Sequence, residues 1–174
     1  MNAALYTGYL IWLLAGLADF ICHRRTDLPR TSGLRESSLH LLQLGLMGVG
    51  ISLAMALVLT RSVLVVLTML VLAHAVVGYL DTRSAYGRRD LRPIEQHVHS
   101  VLDMAPIAGL AIAVFVYADT SLSGWHRRAP ALGPAAWIAA IAPALVLCVA
   151  PALLEFRAAW ALRCVRRPDE VRDA

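Results

Sequence analysis

The chain contains no lysine; all 16 of its basic residues are arginine. Charge of either sign is scarce, 16% of the 174 residues, against about 25% in a soluble domain. The three cysteines, Cys22, Cys148 and Cys164, lie far apart and include no CxxC pair. That excludes a disulfide framework, and they read as small apolar residues of helices. No flavin, nicotinamide or P-loop fingerprint is present. Aromatic residues make up only 7% and do not interleave with the arginines. The net charge of +4 therefore does not indicate nucleic-acid binding. Lysine-free, alanine-rich composition fits a GC-rich bacterial genome.

What the chain has is apolar sequence in long unbroken runs: 59% hydrophobic residues and a mean hydropathy of +0.63. A membrane span needs ~20 apolar residues at a rise of about 1.5 Å each. Five spans satisfy this: 3–22, 38–60, 62–80, 93–118 and 135–154. The fourth is apolar only from Met104 and reaches full length if its polar first turns, opened by Pro93, are helical. Pro106 is expected to kink it, and Pro143 and Pro151 lie inside the fifth. The first span lacks the positive leader and the flanks of a cleavable signal peptide. The expected fold is an all-α integral membrane protein, a single bundle over residues 1–162. A four-helix core with the fifth span packed outside it is followed by a charged, fraying cytoplasmic tail, 163–174.

Arginine placement orients the bundle. The loop after span one holds Arg24, Arg25, Arg30 and Arg35, and the loop after span three holds Arg83, Arg88, Arg89 and Arg92. The tail adds Arg157, Arg163, Arg166, Arg167 and Arg172, whereas the opposite side has only Arg61, Arg127 and Arg128. The reading is a multi-pass protein of the inner (plasma) membrane, N-terminus outside and C-terminus cytoplasmic, with a tight hairpin of spans two and three about Thr60, Arg61 and Ser62.

In this topology the end of span one, the start of span two, the end of span three and the start of span four share the cytoplasmic face. Those are the places where histidine and carboxylate residues concentrate. Asp19 and His23, Glu36 and His40, and Glu95 and His99 are each spaced i,i+4, and Asp103 follows His99 by four. His74 and Asp81 are seven apart. Residues four apart on a helix differ by about 40° in direction and those seven apart by about 20°, so each helix offers a carboxylate and an imidazole on one stripe. His97 points about 200° away from Glu95, and His126, beside Trp125 and Arg127, reads as interfacial. Glu36-Ser-Ser-Leu-His40 and Glu95-Gln-His-Val-His99 form a weak ExxxH repeat, each following an arginine-rich loop and opening the second helix of a hairpin.

Ionisable residues at membrane depth are costly and usually pair, carry protons or bind an ion. Four carboxylates and four imidazoles suffice for a dinuclear site, and the four negative charges of Asp19, Glu36, Asp81 and Glu95 would be neutralised by two divalent ions. The candidate ligands are Asp19, His23, Glu36, His40, His74, Asp81, Glu95 and His99. Asp103 is placed behind His99 as an orienting partner, and Arg35 and Arg92 near the ExxxH helices as anchors for an anionic substrate or headgroup. Mixed nitrogen and oxygen donors suit iron, with zinc or manganese as alternatives, and not copper(I) or an iron–sulfur cluster.

This ligand set resembles that of the di-metal carboxylate bundles, in which Glu and Glu-x-x-His from facing helices hold two irons. Here the spacing is ExxxH. More loosely it resembles the integral-membrane fatty-acid hydroxylases and desaturases, whose HxxxH and HxxHH boxes are absent. The resemblance implies oxidation, by hydroxylation or desaturation, of a lipid-like or apolar substrate, with electrons from a separate donor. Rival expectations are a zinc-dependent membrane hydrolase, a metal or proton transporter, and a bis-histidine haem protein using His40 and His99.

Overall fold

The computed structural model describes residues 3–117 and 120–170. Helix α1 spans Ala3–Arg25, α2 Gly33–Ala56, α3 Arg61–Ala85 and α4 Pro93–Tyr117. The last rod joins α5, Pro134–Ala144, through a π-helical turn at Leu145–Val149, to α6, Ala150–Glu170. The described residues contain no β-strand, and five helical rods are long and apolar enough to cross a membrane. The polar opening of α4 is helical from Pro93, as its sequence requires, and the helix runs on through Pro106. The segment expected to fray from Arg163 continues as helix to Glu170; residues 171–174 lie outside the described residues.

The rods close into a ring. α1 packs on α4, α4 on α3, α3 on α2, α2 on α6, and the π turn returns to α1. This corrects the expected layout of a four-helix core with the fifth span outside it: the fifth rod is a wall of the ring. The short 3-10 turn Leu28–Arg30 explains part of the difference. Leu28 is fully buried, and this turn packs on α6 as well as on α1 and α2.

At the opposite end, α2 stops at Ala56, before the expected boundary at Thr60. Thr60 caps α3 by accepting from the Val63 amide at 3.3 Å, and it donates to the Gly124 carbonyl at 2.7 Å. The Arg128 guanidinium donates to the Ala54 and Met55 carbonyls, which lack helical partners at the end of α2. The loop before α5 thus ties down the α2–α3 connection.

The burial pattern is inverted relative to a soluble domain. Phe115 is 87% exposed and Val146 69%, among many large apolar residues on the outer surface, whereas Asp19, His23, Glu36, His40, Asp81 and Glu95 are buried. An outer apolar face of this extent suits hydrocarbon and not water. The polar groups gather inside the ring.

Candidate metal centre

The last turns of α1 and α3 and the first turns of α2 and α4 meet at one end of the ring. From α1, the His23 Nε2 atom lies 3.3 Å from Asp19 Oδ2, 3.9 Å from Glu36 Oε1 and 3.7 Å from Glu95 Oε1. From α2, His40 Nε2 lies 3.2 Å from Asp81 Oδ2. From α4, His99 Nε2 lies 3.6 Å from Asp19 Oδ2 and 3.7 Å from Asp81 Oδ2. Three imidazoles on three helices therefore direct the same ring nitrogen at carboxylates of four helices.

A hydrogen bond and shared ligation of one ion set different separations. An N–H···O bond spans about 2.7–3.2 Å. Two atoms each about 2.1 Å from one ion and roughly 90–110° apart lie about 3.0–3.4 Å from each other. The His40–Asp81 separation is a hydrogen bond, that of His23 and Asp19, 3.3 Å, fits shared ligation, and the other four, 3.6–3.9 Å, exceed both ranges. His23 Nε2 and Glu95 Oε2 are buried with no hydrogen-bond partner, as are His99 Nε2 and one oxygen each of Asp19 and Asp81. Orphaned groups of this kind inside a protein each need a reason. Donor atoms of Asp19, His23 and His99 lie within 4.8 Å of one another, as do those of His23, Glu36 and His40. His23 belongs to both sets.

Two residues that the sequence reading did not place in the site are central to it. Glu155, on α6, accepts from His23 Nδ1 at 3.0 Å with one carboxylate oxygen and from His40 Nδ1 at 2.9 Å with the other. The two rings are held parallel, 4.6 Å apart and 6° from coplanar orientation. Phe20 meets both edge-on.

The path of the backbone brings Glu155 there. Pro151 has no N–H to give the Leu147 carbonyl, and just before it the Ala150 amide bonds to the Leu145 carbonyl five residues back. The resulting π turn advances the helix by one residue, about 100° of phase. Cys148, Ala152, Glu155 and Ala159 then line the inner face.

Arg89, from the loop between α3 and α4, is the second. Its Nη2 donates to Glu36 Oε1 at 2.6 Å and contacts Glu95 Oε1, and its Nη1 donates to Thr26 Oγ1 at 3.2 Å. Burial by itself lowers the pKa of this guanidinium, but its bonds to Glu95 and Glu36 outweigh that and raise it, so it stays a fixed cation. With Glu155 and Arg89 included, the site holds five carboxylates and one cation. The four net negative charges read from the sequence are thereby preserved.

His74 stands apart. It is buried on the same face of α3 as Asp81, but seven residues along a helix also mean about 10 Å of depth. Among the described residues no carboxylate oxygen lies within ion-pair distance of it. It lines a cavity of about 80 Å³ with Trp12, Gly16, Met47 and Cys148, and Asp19, His40 and Gln43 add polar groups to that wall. Asp103 sits over Gly78 beside Gln43, one turn from His74, and makes no hydrogen bond to His99. Arg35, Arg92 and His97 are exposed.

The geometry defines a class: an all-helical ring of membrane-spanning length around a buried carboxylate–imidazole cluster able to hold metal. No protein-family model matches the chain, and no curated protein or solved structure is significantly similar to it.

Proposed function

We propose that the chain is a membrane metalloenzyme. Its dinuclear His/carboxylate centre, most simply di-iron, oxidises a lipid-like or apolar substrate by hydroxylation or desaturation. One observation carries the metal. An ionised carboxylate only accepts, so Glu155 requires an N–H on Nδ1 of both His23 and His40. The Nε2 atom of His40 meets Asp81 at hydrogen-bond distance, 3.2 Å, whereas that of His23 faces Asp19, Glu36 and Glu95 at 3.3–3.9 Å with no hydrogen-bond partner. A metal ion or a second ring proton must lie between these groups, and the separations at His23, longer than a hydrogen bond, favour the metal. Two divalent ions would cancel the four net negative charges.

His23, His40 and His99 supply nitrogen, and Asp19, Asp81, Glu36 and Glu95 supply oxygen; this donor mixture suits iron, zinc or manganese. A bound di-iron pair would supply activation of dioxygen. For hydroxylation the balance is one C–H bond oxidised to C–OH and the second oxygen atom released as water, with two electrons and two protons from a separate redox partner. The protein's own residues orient the imidazoles through Glu155, fix Glu36 and Glu95 through Arg89, and present the apolar cavity against Asp19 and His40. Oxygen and apolar substrates both concentrate in a bilayer, which favours this location, with the arginine-rich end in the cytoplasm.

A haem between His40 and His99 is disfavoured, because Asp81 Oδ2 lies 3.2 and 3.7 Å from their Nε2 atoms. A midplane transport site is likewise disfavoured by the grouping at helix ends. Glu36→Ala and His99→Ala are each expected to lose at least half of the bound metal, read by elemental analysis of purified protein. Full metal content in both would remove the assignment. Zinc alone, at one ion per chain, would redirect it to hydrolysis by metal-bound hydroxide.

A further inference from the structure

The geometry points to Glu155 as the residue that sets the metal count, by fixing the tautomers of His23 and His40 together. This rests on the metal-centre reading above. A carboxylate hydrogen-bonded to the far nitrogen of one metal-bound imidazole is a common orienting device. Here one carboxylate serves two rings. Its oxygens accept from the two Nδ1 atoms at 3.0 and 2.9 Å, and the rings stack 4.6 Å apart. With metal bound, both ring protons would thereby be held at Nδ1, and the two Nε2 atoms, that of His40 now 3.2 Å from Asp81 Oδ2, would be left side by side as ligands. Paired metal ions in two-metal enzymes lie ~3.5–4 Å apart, and parallel rings at this spacing suit such a pair.

Glutamine at this position has a distinct consequence. Its carbonyl oxygen still accepts from one Nδ1–H. Its NH₂ group must face the other Nδ1 as a donor, which requires that nitrogen to carry the lone pair. The proton of that ring then moves to Nε2, and the ring can no longer ligate. Glu155→Gln therefore disables one imidazole and spares the other. Alanine imposes no tautomer on either ring and weakens both positions, by about 10–100-fold in affinity. Glu155 is a positioning residue: it belongs to neither ligand set.

The experiment is a cobalt(II) titration of metal-free wild type, E155Q and E155A in detergent, followed by visible absorption and equilibrium dialysis, with helix content checked by circular dichroism. The expected stoichiometry is about two for wild type and about one for E155Q, while E155A binds about two with affinity lower by ~10–100-fold. Two tight sites in E155Q, or none in a folded E155Q, would overturn the inference and leave the metal centre standing. No site in wild type would overturn the metal centre itself.

Histidine nitrogen NMR of the zinc-loaded wild type tests the same point without any variant. Both His23 and His40 are expected as Nδ1–H tautomers. An Nε2–H tautomer at either ring would contradict the proposal.

Discussion

Arg89→Ala is expected to destabilise the metal-free protein by about 3–5 kcal/mol, the usual consequence of removing one partner of a buried ion pair. The guanidinium is buried, as are both carboxylates it touches, Glu36 and Glu95. Its loss strands two negative charges where water cannot reach them and also releases Thr26 at the end of the α1–α2 connection. Denaturant unfolding in micelles, followed by circular dichroism, reads the change. Glu36→Gln added to R89A should recover part of the loss, since it neutralises one stranded carboxylate. If the double variant is no more stable than R89A, Arg89 acts by packing and not by charge. Arg92→Ala, three residues along and exposed, serves as the comparison and should change stability by less than about 0.5 kcal/mol.

His23→Ala is expected to have the largest effect on metal content. The ring is fully buried, and its Nε2 faces three carboxylates. It is also common to the two ligand sets, Asp19–His23–His99 and His23–Glu36–His40. Its removal should therefore impair both positions, leaving well under one ion per chain where wild type is expected to hold about two. His97→Ala, on the exposed side of α4, should keep the wild-type content. His74→Ala should keep it as well, because that imidazole lines the cavity and lies outside both sets. Equal loss from H23A and H97A would mean that metal binds at the surface.

The contrast between these histidines shows what sequence spacing can and cannot carry. Spacing fixes direction: Asp19 with His23, and Glu95 with His99, do face the same interior. It does not fix depth relative to other helices. His74 and Asp81 share a stripe, yet only Asp81 reaches the layer of His40 and His99. Asp103, one turn deeper than His99, reaches Gly78 in the layer of His74 instead of backing His99.

The five rods were legible from apolar length alone, because hydrophobic runs of about 20 residues admit few alternatives. The ring was not. Helix neighbours depend on the Leu28–Arg30 turn and on the π turn, neither of which alters hydropathy.

Glu155 lies just past Leu154, where the unbroken apolar run of the fifth span ends, so apolar length alone leaves it outside the bundle. The signals available were a single carboxylate at the end of an apolar run, seven residues after Cys148, and two prolines bracketing the change of helical phase. Arg89 reads from the sequence as one more loop arginine. Nothing local separates it from Arg83, Arg88 or Arg92, and only the convergence of Thr26, Glu36 and Glu95 selects it.

The most direct test of the central claim is elemental analysis of the detergent-purified wild-type protein, taken together with its visible spectrum. The account predicts about two transition-metal ions per chain, iron in the simplest case, with no Soret band. Protein that remains without metal after reconstitution under reducing conditions would contradict it. The buried cluster would then be a proton-bearing ion-pair network, with His23 and His40 held as imidazolium between Glu155 and the facing carboxylates.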